Sequence, residues 1–184
     1  IAAMVFVYIA SHAVQSSWTY YTMLKFDWDE AAVGLSLGFV GVLSAIVQGG
    51  LIRVVIPKIG QVNSVYLGLV FYFFGLVLFA IAGQGWMMYP FLVVYSLGGF
   101  SGPAMQGIMS SQVPDNEQGE LQGAMTSMMS ATSVIGPPLM TGLFAFFTGS
   151  SAPIYFPGAA MMLGALLTML SLVLSWLALR KFKG

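Results

Sequence analysis

The sequence predicts an all-α integral membrane protein with six transmembrane helices, and two observations carry this prediction. Hydrophobic residues occupy 58% of the 184 positions, whereas charged residues occupy only 7%. A soluble domain typically has about 25% charged residues, because its surface must be solvated. The ionisable residues also fall in short clusters between long charge-free runs, and about 20 apolar residues are enough for one helix to cross a bilayer. A β-barrel would instead show short segments of alternating polarity.

The composition excludes several classes of function. Six Lys and Arg residues balance six Asp and Glu residues, so the chain lacks the basic excess of a nucleic-acid-binding protein. One histidine and no cysteine leave no zinc site with three protein ligands and no disulfide framework. The carboxylates are confined to predicted loops and no phosphate-binding loop sequence is present, so we expect neither an enzyme nor a bound cofactor.

The charge-free runs set the boundaries of the spans. The run at 59–114 is too long for one helix and is divided at residues 83–85, Gly-Gln-Gly, while the run at 121–179 is divided by the small residues and proline at 149–153. We therefore expect a single six-helix bundle over residues 1–184, with spans at 1–24, 32–52, 62–82, 88–112, 118–147 and 154–179. The first span lacks the basic segment and cleavage site of a signal peptide, so we expect the chain to begin inside or at the edge of a membrane helix.

Basic residues predict the orientation in the membrane. Five of the six fall on one side of the predicted topology, and only Lys25 falls on the other. The five are Arg53, Lys58, Arg180, Lys181 and Lys183. Cytoplasmic loops are enriched in Lys and Arg, so both the start of the chain and its C-terminus are expected on the cytoplasmic side.

A polar stripe follows one face of the first span. Tyr8, His12, Gln15, Thr19 and Thr22 recur at steps of four and three residues, which is the spacing of one helical face. Lipid cannot satisfy these groups, so the face either meets another helix or lines a water-filled cavity. We favour the cavity, because the stripe covers the full depth of the membrane. His12 then either donates one hydrogen bond as a neutral imidazole or carries a proton.

Rows of small residues mark the second and fifth spans. Such rows allow helix backbones to approach closely, which membrane helices use in place of a hydrophobic driving force. The rows are Gly34, Gly38, Gly41 and Ala45 in the second span and Gly119, Gly123, Ser127 and Ser130 in the fifth. Gln48 and Gln122 lie near the predicted cytoplasmic ends, where we expect them to reach headgroups or a loop.

Glycine and proline are expected to interrupt the fourth and fifth spans. Proline removes a backbone donor and glycine weakens a helix, so these segments should bend or unwind locally. They could be moving or substrate-facing segments, or they could only shape the packing. The residues concerned are Gly99, Gly102 and Pro103 in the fourth span and Gly136 and Pro137 in the fifth.

The remaining cavity candidates flank these interruptions. Ser101 and Gln106 could add polar groups to a cavity lined by His12, Gln15 and Thr19. Methionine is soft and adaptable, so it either lines an apolar ligand site or fills gaps in a core. The two methionines that we consider for the cavity are Met125 and Met129.

Several motifs carry a resemblance to a known family. They are PAMQGIMS at 103–110, NEQGELQGA at 116–124, IGP at 135–137, FDW at 26–28 and GW at 85–86. In this order they resemble the C-terminal half of drug:proton antiporters of the major facilitator superfamily, closest to the tetracycline efflux group. The resemblance covers essentially the entire chain.

The resemblance implies a fold, partners and a mechanism. The six spans would form two three-helix inverted repeats in a bacterial inner membrane, beside an N-terminal six-helix half or a second copy of this chain. Lipid, a small amphipathic drug and protons would be the other partners, and transport would proceed by rocking of the two halves. The cytoplasmic loops would contain Arg53 and Lys58, then Glu117 and Gln118. The span-three carboxylate of the tetracycline pumps is replaced by Tyr72, so proton coupling would lie in the other half or on His12.

Two other functions remain open from the sequence. An importer of a sugar or another neutral metabolite would suit spans with few charges. An isolated or homodimeric half that transports nothing is the other alternative. Six further spans encoded upstream, with acidic residues in the membrane, would favour the exporter.

Overall fold

The computed structural model describes residues 1–180, which form helices and short connections without any strand. The α-helices are α1 (Ala2–Phe26), α2 (Glu30–Ile46), α3 (Ile52–Ile59), α4 (Gln61–Ile81), α5 (Met88–Leu97), α6 (Ser101–Ser110), α7 (Gln118–Thr148) and α8 (Ala159–Leu179). A π-helical segment, Val47–Leu51, joins α2 to α3, and 3₁₀ segments lie at Gly85–Met87, Gly98–Phe100 and Asp115–Glu117. Lys181 and Lys183 of the orientation prediction lie outside the described residues.

Hydrogen bonds between the ends of neighbouring helices define the two ends of the bundle. At one end, Lys25 Nζ donates to the Tyr21 hydroxyl at 2.9 Å and to the Ala80 carbonyl at 3.4 Å, so the end of α1 is fastened to the end of α4. At the opposite end, the Ser171 hydroxyl of α8 donates to the Ala3 carbonyl of α1 at 2.8 Å. The Gln61 side chain lies there against Gly107 of α6. The chain therefore runs between the two ends six times, with α5 and α6 forming one pass.

Four helices within residues 1–180 are long and apolar enough to cross a membrane: Glu30–Ile59, Gln61–Ile81, Asp115–Thr148 and Ala159–Leu179. The first of these combines α2, the π-helical segment and α3. The helix α1 has sufficient length with 25 residues, but its stripe of polar side chains lowers its hydropathy. The arrangement of the six passes as two inverted repeats stays a prediction.

The helices α1, α4 and α8 form the centre of the bundle. α8 packs against both α1 and α4, while α7 packs against α1, and α5 and α6 pack against α4. Glycines bring α4 very close to the α5–α6 pass. A Cβ atom on Gly68 would lie 2.6 Å from the Ser101 backbone nitrogen, and one on Gly98 would lie 2.7 Å from the Tyr72 Cβ. These positions require glycine because the backbones almost touch.

The two small-residue rows do not make the helix contacts that the sequence predicts. Among the described residues, nothing lies within 4 Å of a Cβ built on any glycine of either row. These glycines are Gly34, Gly38 and Gly41 of α2 and Gly119 and Gly123 of α7. All five glycines are exposed, so both rows lie on the outside of this bundle. The rows are therefore free to pack against something beyond the described residues.

Of the two expected helix interruptions, the structure has the first and not the second. The backbone of Gly98–Phe100 is 3₁₀, and Pro103 follows in the first turn of α6, where its missing N–H is tolerated. In contrast, α7 is α-helical through Gly136 and Pro137. The carbonyls released there belong to Ser133 and Val134, which are both exposed residues, so these two carbonyls can meet groups outside the bundle.

Candidate functional site

Two adjoining cavities lie between α1, the π-helical segment and the 3₁₀ segment Gly98–Phe100. Their volumes are about 420 and 390 Å³, within the range of small-molecule sites. Ser11, Gln15, Gln48, Tyr72 and Gly99 line both of them. We call the larger one, which extends to Thr19, the upper cavity, and the other, which extends to Val7, the lower cavity. Together they follow the polar stripe of α1 along most of its length.

Irregular backbone forms the wall opposite α1. A Cβ atom on Gly99 would lie 3.5 Å from Val47 Cγ1, so the 3₁₀ segment packs directly against the start of the π-helical segment. The π-helical turn carries Gln48 into both cavities. Single π-helical turns inside helices are frequent at functional sites, and here the π-helical and 3₁₀ segments border the same space.

Aromatic side chains form a rigid part of the upper cavity. The rings of Tyr72 and Tyr95 stack with their centroids 4.8 Å apart, and their hydroxyl oxygens lie 3.1 Å from each other. Trp18 packs edge-on against Phe79 at 5.1 Å, and its indole N–H donates to the Ser36 hydroxyl at 2.9 Å. These fixed rings offer a flat apolar surface to a ligand.

His12 is part of the wall of the lower cavity. Its side chain is only 8% exposed, and it packs against Gly136 of α7. Thr132 and Ser133, one turn before Gly136, line the same cavity. The lower cavity is thus bordered by α1 on one side and α7 on the other.

Both cavities are uncharged. None of the described residues that line them is Asp, Glu, Lys or Arg. Their polar groups are hydroxyls, amides and one imidazole, which both donate and accept hydrogen bonds. No group of three His, Cys, Asp or Glu residues in the described part of the chain could hold a metal ion. The walls can therefore bind neutral polar groups and flat apolar surfaces, and they offer no fixed charge to an ionic ligand.

Comparison with known proteins identifies the relatives of the chain. No family model matches it. The tetracycline resistance protein of class H from Pasteurella multocida is 33% identical over 164 residues, which is 89% of this chain. The class G protein from Vibrio anguillarum is 36% identical over 133 residues, or 72% of the chain. The chain is a homologue of the tetracycline resistance proteins. The predicted resemblance to the tetracycline efflux group is thereby confirmed.

The chain of this homologue spans less than half the length of the tetracycline resistance proteins that it matches. The alignment spans 40% of the class H protein and 34% of the class G protein. A more distant relative is hippocampus abundant transcript-like protein 1 from Homo sapiens, 25% identical over 76% of the chain and 28% of that protein.

The structure brings most of the sequence-predicted cavity residues of this tetracycline resistance homologue together. Gln15 lines both cavities, and Thr19 lines the upper one. The cavity candidates that line the lower cavity are His12, Gln15, Ser101 and Met129, and Gly99 and Gly102, which were predicted as helix-break residues, line it too.

Two predicted residues lie elsewhere. Gln106 is exposed on α6 and its amide donates to the Gln122 side-chain oxygen of α7 at 3.3 Å. Met125 is buried in a separate apolar cluster with Met105 and Ile108. Gln106 therefore links α6 to α7, whereas Met125 packs in a cluster that also contains Met4 of α1 and Val65 of α4.

Several residues of the site were not assigned to it from the sequence, among them Gln48, Tyr72 and Tyr95. Gln48 was expected near a membrane surface, but its helix continues to Ile59, so Gln48 lies deeper and lines both cavities. Tyr72 and Tyr95 lie in apolar runs, and only their hydroxyl groups distinguish them from the apolar residues around them. A buried tyrosine hydroxyl needs a hydrogen-bond partner, and this requirement was the available signal.

The predicted loop residues differ in what they do. Arg53, Lys58 and Glu117 are exposed. Gln118 is half-buried and makes three hydrogen bonds. It accepts from the Ser110 hydroxyl, and its amide donates to the Ser110 and Val113 carbonyls, all at 2.8 Å. Gln118 thereby satisfies carbonyls at the end of α6 and fastens α6 to the start of α7.

Proposed function

We propose that this chain is the C-terminal six-helix half of a major facilitator transporter, which exports an amphipathic drug such as tetracycline in exchange for protons. It would act as a transporter and not as an enzyme. The observation that carries the proposal is the pair of uncharged cavities along the polar face of α1, in a homologue of the tetracycline resistance proteins. An amphipathic drug would place its apolar rings against Tyr72 and Trp18 and its polar edge against the amides of Gln15 and Gln48.

Transport would proceed by alternating access. In this mechanism a six-helix bundle rocks against a second one around a central binding site. The π-helical segment and the 3₁₀ segment, which both depart from regular α-helix, lie at the cavity wall. We infer that changes in these two segments accompany the rocking.

A second six-helix unit would complete the transporter. The alignments cover at most two fifths of the tetracycline resistance proteins named above, and the small-residue rows of α2 and α7 meet no helix among the described residues. An N-terminal half of the same protein, or a second copy of this chain, would pack against these rows.

The proposed location is a bacterial inner membrane with the start of the chain and its C-terminus in the cytoplasm. This orientation is supported by the clustering of basic residues. Arg53 and Lys58 lie near the α3–α4 connection, at the bundle end that also contains Arg180.

Proton coupling is proposed to reside in the second unit. The described cavity walls contain no carboxylate, which is the usual proton carrier of membrane transporters. His12 is the alternative within this chain.

The test is drug accumulation in bacterial cells that make the full-length protein. We expect cells with the protein to accumulate less tetracycline than cells without it, and we expect an uncoupler to abolish the difference. The double variant Q15A/Q48A should restore accumulation, because it removes two amides from both cavities, whereas Gln112→Ala, outside both cavities, should not. Equal tetracycline accumulation with and without the protein would contradict the proposal.

A second candidate is import of a neutral metabolite such as a sugar. The uncharged hydroxyls and amides of the lower cavity favour it, because sugars are bound through such groups. Uptake of labelled sugars by the same cells, with no effect on tetracycline accumulation, would favour the importer. A full-length protein without either activity would indicate a non-transporting half.

A further inference from the structure

The imidazole of His12 occupies a place that only a glycine at position 136 leaves open. A Cβ atom on Gly136 would lie 2.5 Å from His12 Cγ and 2.9 Å from His12 Cβ, and it would also meet Cδ2. Real Cβ atoms do not approach other atoms so closely. One edge of the His12 ring therefore packs directly against the backbone of α7. This contact fixes the ring where α1 and α7 cross.

The nitrogens of this fixed ring have no protein partner. Within residues 1–180 the side-chain hydrogen bonds include none to His12, although the residue is 8% exposed and lines the lower cavity. Within residues 1–180 the fully buried side-chain atoms without a partner do not include the His12 nitrogens, so these nitrogens reach the surface of the lower cavity, where they are expected to meet water or a ligand. The fully buried hydroxyls without a partner are those of Ser17 and Ser96, and Ser96 is one of the residues that line the upper cavity.

The two cavities adjoin each other. They share Gln15, Gln48 and Tyr72 as walls, so a ligand that lies across these residues reaches from His12 into the upper cavity. Such a ligand would stack on the Tyr72 ring and place a polar group at each end. A hydroxyl or carbonyl group satisfies a neutral imidazole without any fixed charge, which suits the uncharged walls.

We propose that His12 determines ligand specificity by hydrogen bonding to a hydroxyl or carbonyl group of a planar, polycyclic ligand, and that Gly136 is a positioning residue that seats its ring. This inference rests on the proposed function and assigns to that cavity its recognition group. Gly136, the glycine of the IGP motif, thus provides the space for the His12 imidazole. This explains why a glycine is found at position 136 without a helix break.

The experiment measures equilibrium binding of radiolabelled tetracycline to the full-length protein in lipid nanodiscs, together with thermal unfolding of each variant. His12→Phe keeps a flat ring on Gly136 and removes both nitrogens, so affinity should fall about three- to tenfold, the range for one lost hydrogen bond. His12→Asn returns a donor and acceptor near Nδ1 and should recover part of the affinity. Gly136→Ala displaces the ring and should weaken binding as His12→Phe does.

Ser17→Ala is the matched control. The Ser17 hydroxyl is buried and unpartnered on the same helix, but it lines neither cavity, so binding should not change. Wild-type binding with unchanged affinity in His12→Phe would overturn this inference alone, and a lowered unfolding temperature would then indicate a packing role. A wild-type protein that does not bind tetracycline would overturn both this inference and the proposed drug specificity.

Discussion

Gln118 shows how one amide can organise a connection between two membrane helices. Its three hydrogen bonds to Ser110 and Val113 satisfy carbonyl groups that the end of α6 would otherwise leave free. We predict that Gln118→Ala lowers the free energy of unfolding by about 1–3 kcal/mol, because a half-buried group loses its partners. Gln112→Ala is the control, since the Gln112 amide makes one long bond of 3.3 Å within its own helix turn. Thermal unfolding of both variants in the same detergent measures the difference, and equal unfolding temperatures would contradict the prediction.

Individual residues also show where sequence reasoning succeeds at this scale. The helical periodicity of Tyr8, His12, Gln15 and Thr19 was sufficient to place them on one face, because periodicity follows from the geometry of α1 alone. The position of Gln106 could not be obtained in this way. Its direction depends on how α6 rotates against α7, and that rotation is set by side-chain packing between distant parts of the chain.

The helices themselves were largely predictable, because long charge-free runs in this composition can only be buried in lipid or protein. Their interruptions were not. Pro103 follows a real 3₁₀ segment, whereas Pro137 lies inside an uninterrupted α-helix. A proline inside a helix removes one hydrogen bond and its ring crowds the carbonyl four residues earlier. Whether the helix continues depends on the surroundings of that carbonyl, which the sequence does not give. The π-helical segment at Val47–Leu51 contains no proline, and its only sequence signal is the pair of glycines at 49–50.

The contact between α4 and the α5–α6 pass depends on the absence of side chains. We predict that Gly68→Ala destabilises the protein by about 1–3 kcal/mol, because a Cβ atom there would lie 2.6 Å from the Ser101 backbone nitrogen and the two helices would have to separate. Gly38→Ala is the matched control, since nothing among the described residues lies within 4 Å of its Cβ position. Thermal unfolding of this bundle should separate the two variants. A Gly38→Ala protein as unstable as Gly68→Ala would contradict the assignment of these faces.

The site as a whole was only partly readable from the sequence. The polar face of α1 predicts that a cavity exists, but the opposite wall includes the π-helical segment, α4 and α5, where Gln48, Tyr72 and Tyr95 lie in largely apolar surroundings. A cavity is a property of several helices at once, so its far wall follows from the packing of α4 against the α5–α6 pass. The lower cavity likewise depends on the close contact of His12 with Gly136, which no pattern within α1 reveals.

The open faces of α2 and α7 give a prediction for the complete transporter. If a second six-helix unit packs on these rows, a large side chain there should separate the two units without disturbing this bundle. We predict that Gly38→Leu and Gly123→Leu each reduce drug export by the full-length protein by at least about fivefold, because small residues are what permit close helix approach in lipid.

The same two variants should leave the packing of this bundle intact, since no described residue lies within 4 Å of either Cβ position. Leu170→Phe serves as the control, because Leu170 lies with Leu166 and Val173 on an exposed, apolar face of α8 that suits lipid. Drug accumulation measures export, and cross-linking between the two units measures their association. Export at the wild-type level in Gly38→Leu and Gly123→Leu would mean that both rows face lipid. The second unit would then have to dock on a different surface, and the cavities would open towards it from another side of α1.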